Sequence, residues 1–347
     1  MTSSPQKASR RRNAEACRPS LAPYPVARED HAMAVNPLFP SLSTMWADQP
    51  RFERALGAFM ERAAELGYRG VEINHSMTAE QAGAILGYGS LPVTGVHAPA
   101  PLERHPSAGW NRDLNLAATD EVERGLAVDF HLRSIALAAD AGASIVVVHL
   151  GGVGSRMLPG ERRLRSMYDR RDVLRDEWAR AVDEAVRERA AVAAPSLEAA
   201  RRSLASMAEE ASRRGITLGI ETRLNYFEIP LPQEAVDLFA PYPAEIVGYV
   251  HDVGHAEVHH RLGVTDRSAW WDLLGPRLVE LHLHDVRGLL DHRAPGNGDV
   301  DFAWLATRIA EANPRAQRTF EIDQVEPDDD VARAIDVLAT AGIVEVA

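Results

Sequence analysis

From about residue 36 onward, short runs of β-branched and other apolar residues alternate with longer stretches in which apolar positions recur every three or four residues. Short runs such as Ile145-Val-Val-Val148 are typical of strands covered on both faces, and the longer stretches are typical of amphipathic helices. The alternation predicts strands at 38–43, 70–74, 92–97, 144–149, 216–221, 245–252, 279–284 and 318–322. It predicts helices at 51–66, 121–141, 194–213, 233–239, 302–312 and 329–340.

Strands that alternate with helices form βαβ units with parallel pairing, so the sheet is either a closed barrel or an open doubly wound sheet. A doubly wound nucleotide-binding sheet needs a glycine-rich turn after its first strand, and Ser41-Leu-Ser-Thr-Met-Trp46 is not one. Gly151-Gly-Val-Gly154, after the fourth strand, lacks the third spaced glycine. We therefore predict an α/β fold: a (β/α)8 TIM barrel forming a single domain over 36–347.

Two segments lie outside this regular pattern. Residues 1–35 combine Ser, Pro, Ala and Arg without apolar periodicity, which predicts a disordered tail. A long insertion, 151–214, follows strand 4, and its part 156–189 carries ten arginines and eight acids. This composition favours a solvated helix with i,i+4 ion pairs. The alternative is that Arg156, Arg162 or Arg163 reaches over the barrel mouth to an anionic substrate group.

Composition excludes several classes of enzyme. The only cysteine is Cys17 and the only lysine is Lys7, so the barrel has no residue for a thiolate zinc site, a Schiff base or a Walker-type phosphate loop. Residues 1–30 carry six basic and three acidic side chains, so the total charge of −12 leaves −15 on the rest of the chain. That acidic body disfavours nucleic acid as a partner. No apolar run is long enough for a membrane span.

Polar residues end the apolar runs of the third to the eighth predicted strands. In a (β/α)8 barrel these strand ends meet at one mouth, where the chemistry takes place. Several carboxylates brought together there would repel one another unless a cation held them. Oxygen and imidazole ligands without cysteine suit Zn²⁺, Mn²⁺, Co²⁺ or Mg²⁺, and we predict a divalent metal site. The strand-end residues are His97, His149, Glu221, Asp252, His282 and Glu321.

The remaining histidines give weaker signals. His259 and His260 are expected on a solvated helix face, and His75 has no partner that its spacing identifies. A single strand-end histidine or carboxylate is more often structural than functional, so the metal prediction depends on the convergence of the whole set.

Longer motifs surround the strand-end residues: Gly219-Ile-Glu221, His251-Asp-Val-Gly-His255, His282-Leu-His-Asp285, Pro295-Gly-Asn-Gly298-Asp-Val-Asp-Phe302 and Phe320-Glu321. On these motifs the chain, from about residue 38 to its C-terminus, resembles the xylose isomerase-like TIM-barrel superfamily. That superfamily unites sugar isomerases and epimerases with endonuclease IV. The motifs are specific for the superfamily and much less so for any one activity.

The resemblance to the sugar isomerase and epimerase branch implies one metal ion held by Glu221, Asp252, His282 and Glu321. The two glutamates would also be the acid/base groups on opposite faces of the substrate. Moving a proton beside a carbonyl needs these two groups and a cation to stabilise the negative oxygens. The remaining predicted substrate-binding residues are His255, which would contact a substrate oxygen, and Glu228, Arg287 and Arg223.

The resemblance to endonuclease IV implies instead up to three zinc ions and abasic DNA as the substrate. His97, His149, His255 and His292 would then be additional metal ligands, but Leu290 stands where that pattern has an aspartate. A third alternative is a non-catalytic metal-binding barrel. The leading prediction is a cytoplasmic, metal-dependent isomerase or epimerase of a small sugar-like hydroxy-carbonyl compound. Self-association into a homo-oligomer is compatible with the sequence.

Overall fold

Eight parallel strands form a closed barrel in the computed structural model, which describes residues 36–346. Neighbours in the chain are neighbours in the barrel, and the first and last strands close it by pairing Ser41 with Thr319 and Leu42 with Phe320. The predicted TIM barrel is confirmed, and each predicted strand overlaps an observed one; the predicted tail lies outside the described residues. The strands are β1 (Ser41–Ser43), β2 (Gly70–Ile73), β3 (Val93–His97), β4 (Ile145–Val148), β5 (Thr217–Glu221), β6 (Val247–Asp252), β7 (Leu278–Leu283) and β8 (Gln317–Phe320).

All six helices predicted with bounds are present, as are four more: α2 (Ala79–Tyr88), α4 (Pro159–Met167), α7 (Val253–Leu262) and α8 (Arg267–Leu274). Of these, α4 lies where the insertion was expected to be helical, and α7 carries His259 and His260, which were expected on a helix. Three of these four begin at a side-chain cap: Thr78 and Gln81 form a capping box on α2, Asp252 caps α7 by accepting from the His255 amide, and Asp266 caps α8 by accepting from the Ser268 amide. No helix in the described part of the chain is long and apolar enough to cross a bilayer. The helices are α1 (Leu56–Glu65), α2 (Ala79–Tyr88), α3 (Glu121–Ala141), α4 (Pro159–Met167), α5 (Arg175–Arg214), α6 (Pro232–Phe239), α7 (Val253–Leu262), α8 (Arg267–Leu274), α9 (Phe302–Ala312) and α10 (Asp328–Thr340).

The barrel interior is divided into an apolar and a polar half. The apolar half is a cluster of valine and isoleucine side chains from β4, β6 and β7. The polar half comes from β1, β2, β3, β7 and β8, and its buried residues include acids as well as hydroxyls. TIM-barrel interiors are usually filled by branched aliphatic side chains, so the polar half is a departure from the usual core. Its members are Ser41, Glu72, Thr94, Glu280 and Thr319.

The insertion after β4 folds as α4 and the 40-residue α5. An exposed ion pair joins the two helices, between Arg163 and Glu184, 2.6 Å apart and both about half exposed. Within 156–189 the i,i+4 pair is Arg165 with Glu161, and its acid is buried, contrary to the expected solvated pairs. Arg162 bonds to the carbonyl of Met157, and Arg156 is exposed. The arginines proposed to reach over the mouth are therefore engaged locally or point to solvent.

Three other insertion side chains face the barrel and hold the loop between β5 and α6. The buried Glu161 accepts hydrogen bonds from the amides of Tyr226 and Phe227, at 2.9 and 3.1 Å. Arg165 donates to the carbonyl of Leu224, at 2.9 Å. Arg189, only 2% exposed, donates to the carbonyl of Glu228 and forms a bidentate pair with Glu234. We call these three residues the insertion clamp.

Candidate functional site

A cluster of buried acids and imidazoles lies at the C-terminal ends of the strands. The ligand atoms of His97, Glu221, His282 and Glu321 all lie within 4.8 Å of one another. His282 is central: its Nδ1 is 2.9 Å from Glu221 Oε1 and 3.0 Å from Glu321 Oε2. Since β5 and β8 are separated by β6 and β7, the two glutamates approach this nitrogen from different sides of the mouth.

Asp252, the fourth predicted ligand, lies at the edge of this cluster. Its Oδ2 is 3.8 Å from His282 Nδ1. Its Oδ1 accepts from the His255 amide at 2.7 Å and from His284 Nε2 at 2.9 Å. His284 Nδ1 accepts a hydrogen bond from the backbone N–H of His292. The neutral His284 ring therefore carries its proton on Nε2, which faces Asp252. Asp252 is thereby fixed by a helix cap and a histidine that sequence reasoning did not assign.

Two of the additional predicted ligands lie beside Glu221. His97 Nε2 and His149 Nε2 are 3.1 Å apart, and His149 Nε2 is 2.6 Å from Glu221 Oε2. Arg223 Nη1 contacts the same glutamate oxygen, also at 2.6 Å, and Arg223 Nη2 is 3.1 Å from Glu228 Oε1. Arg223 and Glu228, both predicted to bind substrate, therefore form one ion pair at the rim of the cluster.

A further group forms around His255 and His292. Asp291 Oδ2 lies 3.4 Å from His255 Nε2 and 3.2 Å from His292 Nδ1. Leu290, at the position where the endonuclease pattern has an aspartate, is 57% exposed. Asp291 thus supplies the carboxylate from one position later in the chain. The signal was present in the sequence as an acid directly before His292, but the local turn decides where that acid points.

The loop that carries His292 is held by a buried carboxylate, Asp285. Gly298 approaches it so closely that an alanine Cβ there would overlap a backbone oxygen and this carboxylate. The glycines of the Pro295-Gly-Asn-Gly298 motif therefore let the backbone wrap around Asp285. Its two oxygens accept hydrogen bonds from the amides of Val286, Gly296, Gly298 and Val300, at 2.8 to 3.0 Å.

The charges of the cluster are complementary. Burial alone would raise the pKa of Glu221, but His149 and Arg223 hold it well below its usual value. Burial would also raise the pKa of Glu321, and the charge of His282 holds it well below as well. Conversely, the pKa of His282 is raised well above its usual value by Glu321 despite its burial. Two carboxylates thus share one imidazole proton, and a divalent cation fits this donor set.

Other residues depart from the sequence expectations. The side chain of Arg287, predicted to bind substrate, is exposed and makes no hydrogen bond or ion pair within residues 36–346, whereas its backbone pairs with Leu290. His259 is not solvated as predicted but buried against Tyr226, whereas His260 is exposed. His75, for which spacing identified no partner, packs 5.0 Å from His97 between ring centroids.

Comparisons with known proteins agree with the barrel. Residues 188–341 match the family described as xylose isomerase-like TIM barrel. No curated protein has a significantly similar sequence. Solved structures with a similar fold include 3-keto-D-glucoside 4-epimerase from E. coli (18% identity, TM-score 0.57, covering 87% of this chain and 99% of that one). They also include D-psicose 3-epimerase with D-tagatose from Clostridium cellulolyticum (16%, 0.60, 87% and 99%) and L-ribulose 3-epimerase (16%, 0.59, 88% and 95%). At these identities the likeness concerns the fold.

Proposed function

We propose that the chain, whose residues 188–341 match the xylose isomerase-like TIM-barrel family, is a divalent-metal-dependent isomerase or epimerase acting on a sugar or sugar-like hydroxy-carbonyl compound. The observation that carries the proposal is the arrangement of Glu221 and Glu321. Both are buried, both have a pKa held well below the usual value, and they meet at His282 Nδ1 from separate strands.

The two glutamates suit proton transfer at a carbon beside a carbonyl. An ionised carboxylate accepts the proton from one face of that carbon, and the opposite carboxyl group, first protonated from solvent, donates a proton to the other face or to the neighbouring carbon; the first group then releases its proton to solvent. The number of protons on the enzyme is unchanged over the cycle. Glu221 and Glu321 are in reach of a common point, which this chemistry requires of an acid/base pair.

Glu221, Asp252, His282 and Glu321 would hold the metal ion, which we expect to be Mn²⁺, Zn²⁺, Co²⁺ or Mg²⁺. When bound, such a cation supplies stabilisation of negative charge on the substrate oxygens. The fit rests on the donor set: three of these four side chains, with His97, bring ligand atoms within 4.8 Å, and all four are buried. Buried carboxylates of this kind need a compensating cation.

Substrate would be bound at the rim, where Arg223 and Glu228 offer a donor and an acceptor. The Nδ1 of His255 is bonded to the carbonyl of Thr222, at 2.8 Å, so its Nε2 faces Asp291 and the mouth. Arg287 has room to approach a ligand, because it is exposed. Solved proteins of similar fold are named as sugar epimerases, which supports a sugar as the substrate class.

Metal content tests the proposal directly. We expect one equivalent of a divalent metal in the purified protein by elemental analysis. We also expect metal-dependent exchange of solvent deuterium into a ketose or a related hydroxy-carbonyl compound. A protein that binds no metal, or that catalyses no exchange with any of a broad panel of such compounds, would contradict it.

The second candidate is an endonuclease IV-like zinc phosphodiesterase acting on abasic DNA. The grouping of His255, Asp291 and His292 favours it, because this set and the His97–His149–Glu221 contact offer ligands for two further metal ions. Three equivalents of zinc and incision of a duplex with an abasic site would establish this candidate. The charge of −15 on the chain beyond residue 30 weighs against DNA as the substrate. If the protein binds metal but catalyses neither proton exchange nor DNA incision, the third alternative, a non-catalytic metal-binding barrel, would be favoured.

A further inference from the structure

Two acids lie inside the barrel, beneath the cluster at its mouth. Glu72 is on β2 and Glu280 is on β7, strands that are not neighbours, yet ligand atoms of both lie within 4.8 Å of His282. Both acids are completely buried. They therefore point into the polar half of the barrel interior and meet the face of His282 that is turned away from Glu221 and Glu321.

The two acids differ in how they are held. Glu280 Oε1 accepts hydrogen bonds from Gln317, at 2.7 Å, and from Thr319. Neither carboxylate oxygen of Glu72 has a hydrogen-bond partner within the described residues. Glu72 Oε2 lies 3.5 Å from His282 Nε2, a nitrogen that also lacks a partner in that part of the chain. A completely buried donor and a completely buried acceptor thus face each other, each without another bond.

The tautomer of His282 connects this contact to the metal site. Its Nδ1 carries a proton where it faces Glu221 and Glu321, and a metal ion bound there would replace that proton. A neutral imidazole that binds a metal through Nδ1 must keep its proton on Nε2. That proton then needs an acceptor, because a buried N–H without one costs about 1–3 kcal/mol. Glu72 Oε2 is already in place, and a shift of a few tenths of an ångström would bring it to hydrogen-bond distance.

We propose that Glu72 is a positioning residue, which accepts the Nε2–H of His282 and so fixes the tautomer and ring orientation in which Nδ1 binds the metal. The inference rests on the proposed metal site. Carboxylates in this role orient metal-binding histidines and make them better ligands. Gly95, on β3, supports the assignment, because a Cβ there would lie 3.0 Å from Glu72 Oε2 and crowd it.

Three variants test the proposal: Glu72→Leu, which removes the acceptor, Glu72→Gln, which keeps one carbonyl oxygen, and Glu280→Gln as the matched control. The control removes a carboxylate from the same interior but leaves the contact with His282. The measurement is Zn²⁺ affinity by chelator competition, together with the Co²⁺ absorption spectrum and thermal unfolding. We expect Glu72→Leu to bind zinc about 10–100-fold more weakly, with a smaller loss for Glu72→Gln and none for Glu280→Gln.

A second measurement does not depend on the folding of Glu72→Leu. In zinc-loaded wild-type protein, ¹⁵N NMR should show the proton of His282 on Nε2, and Glu72→Gln should change the shift of that nitrogen while Glu280→Gln should not. Zinc affinities within twofold of wild type in both Glu72 variants would overturn the proposal, as would equal losses in Glu72→Gln and Glu280→Gln. A wild-type protein that binds no metal would overturn the proposed function itself, so the two failures are distinguishable.

Discussion

Replacing Glu321 by glutamine should lower turnover by about 10²–10⁴-fold while leaving the barrel folded. Glu321 Oε2 lies 3.0 Å from His282 Nδ1, and Oε1 accepts a hydrogen bond from Asn74 Nδ2 at 3.3 Å. A glutamine can turn its carbonyl oxygen toward the metal position and keep a ligand there. The side-chain nitrogen of the glutamine then faces the side-chain nitrogen of Asn74, so two donors meet. Asn74 cannot flip its amide freely, because its Oδ1 accepts a hydrogen bond from the Ser76 backbone N–H.

The two effects of this substitution differ in size. One lost hydrogen bond to Asn74 is worth about 0.5–1.5 kcal/mol, and the change from an anionic to a neutral ligand weakens metal binding further, so the comparison is made at saturating metal. The loss of general acid/base catalysis should lower the rate by about 10²–10⁴-fold, which corresponds to about 3–5 kcal/mol of barrier. Turnover should therefore fall much further than metal occupancy at saturating metal.

The assay measures deuterium incorporation from solvent into the substrate, with bound metal determined on the same samples. Asn74→Ala is the matched control, since it removes the same hydrogen bond and keeps the Glu321 carboxylate; its exchange rate should stay within about tenfold of wild type. Glu221→Gln should behave like Glu321→Gln if the two glutamates act on opposite faces. Wild-type exchange in Glu321→Gln would refute the two-base mechanism, and a loss of metal in proportion to activity would indicate that the glutamates serve only as ligands.

Two further predictions concern stability. Gly298→Ala should lower the free energy of unfolding by about 1–3 kcal/mol, because the added methyl group overlaps the atoms around the buried carboxylate; Gly125→Ala, with open space around it in α3, should instead be neutral or stabilising by up to about 1 kcal/mol. Arg189→Met should lower the free energy of unfolding by about 3 kcal/mol. This is the lower end of the range for breaking a buried ion pair, because its partner Glu234 is partly solvated. Arg163→Met breaks an exposed pair and should cost about 0–1 kcal/mol. Urea unfolding of the four variants measures these changes. Equal losses of unfolding free energy in Gly298→Ala and Gly125→Ala, or in Arg189→Met and Arg163→Met, would contradict the structural assignment.

The sequence predicts the strands and their ends well because that signal is local. Each apolar run of four to six residues ends in a polar residue, and barrel closure then brings those ends together without further information. Glu221, His282 and Glu321 could be assigned in this way. Asp252 could too, although its second role, as the cap of α7, depends on a helix that has little apolar periodicity of its own.

The loops and the interior could not be predicted in the same way. The segments Asp285–Arg287 and Leu290–Arg293 form a short antiparallel hairpin, and its turn decides whether Leu290 or Asp291 faces His255, which a pattern of residue types does not fix. Glu72 looks like a solvated residue inside a short strand, and only the barrel geometry shows that it meets His282 from across the interior. His259 was expected in solvent, but Tyr226, from the loop held by the insertion clamp, packs against it, and a contact between such distant residues is not visible in the local pattern.

The insertion clamp has a consequence for how a ligand is recognised. Glu161, Arg165 and Arg189 fasten the backbone that carries Arg223 and Glu228, so this rim is rigid before any ligand arrives. Ordering a mobile loop would take about 0.5–1.5 kcal/mol for each immobilised side chain, and here that entropy is already lost during folding. Under the proposed function, a rim built in this way would select by shape: a molecule that does not match it would be rejected instead of being accommodated. Selectivity at the mouth would then be set in part by helices whose own arginines mostly face water.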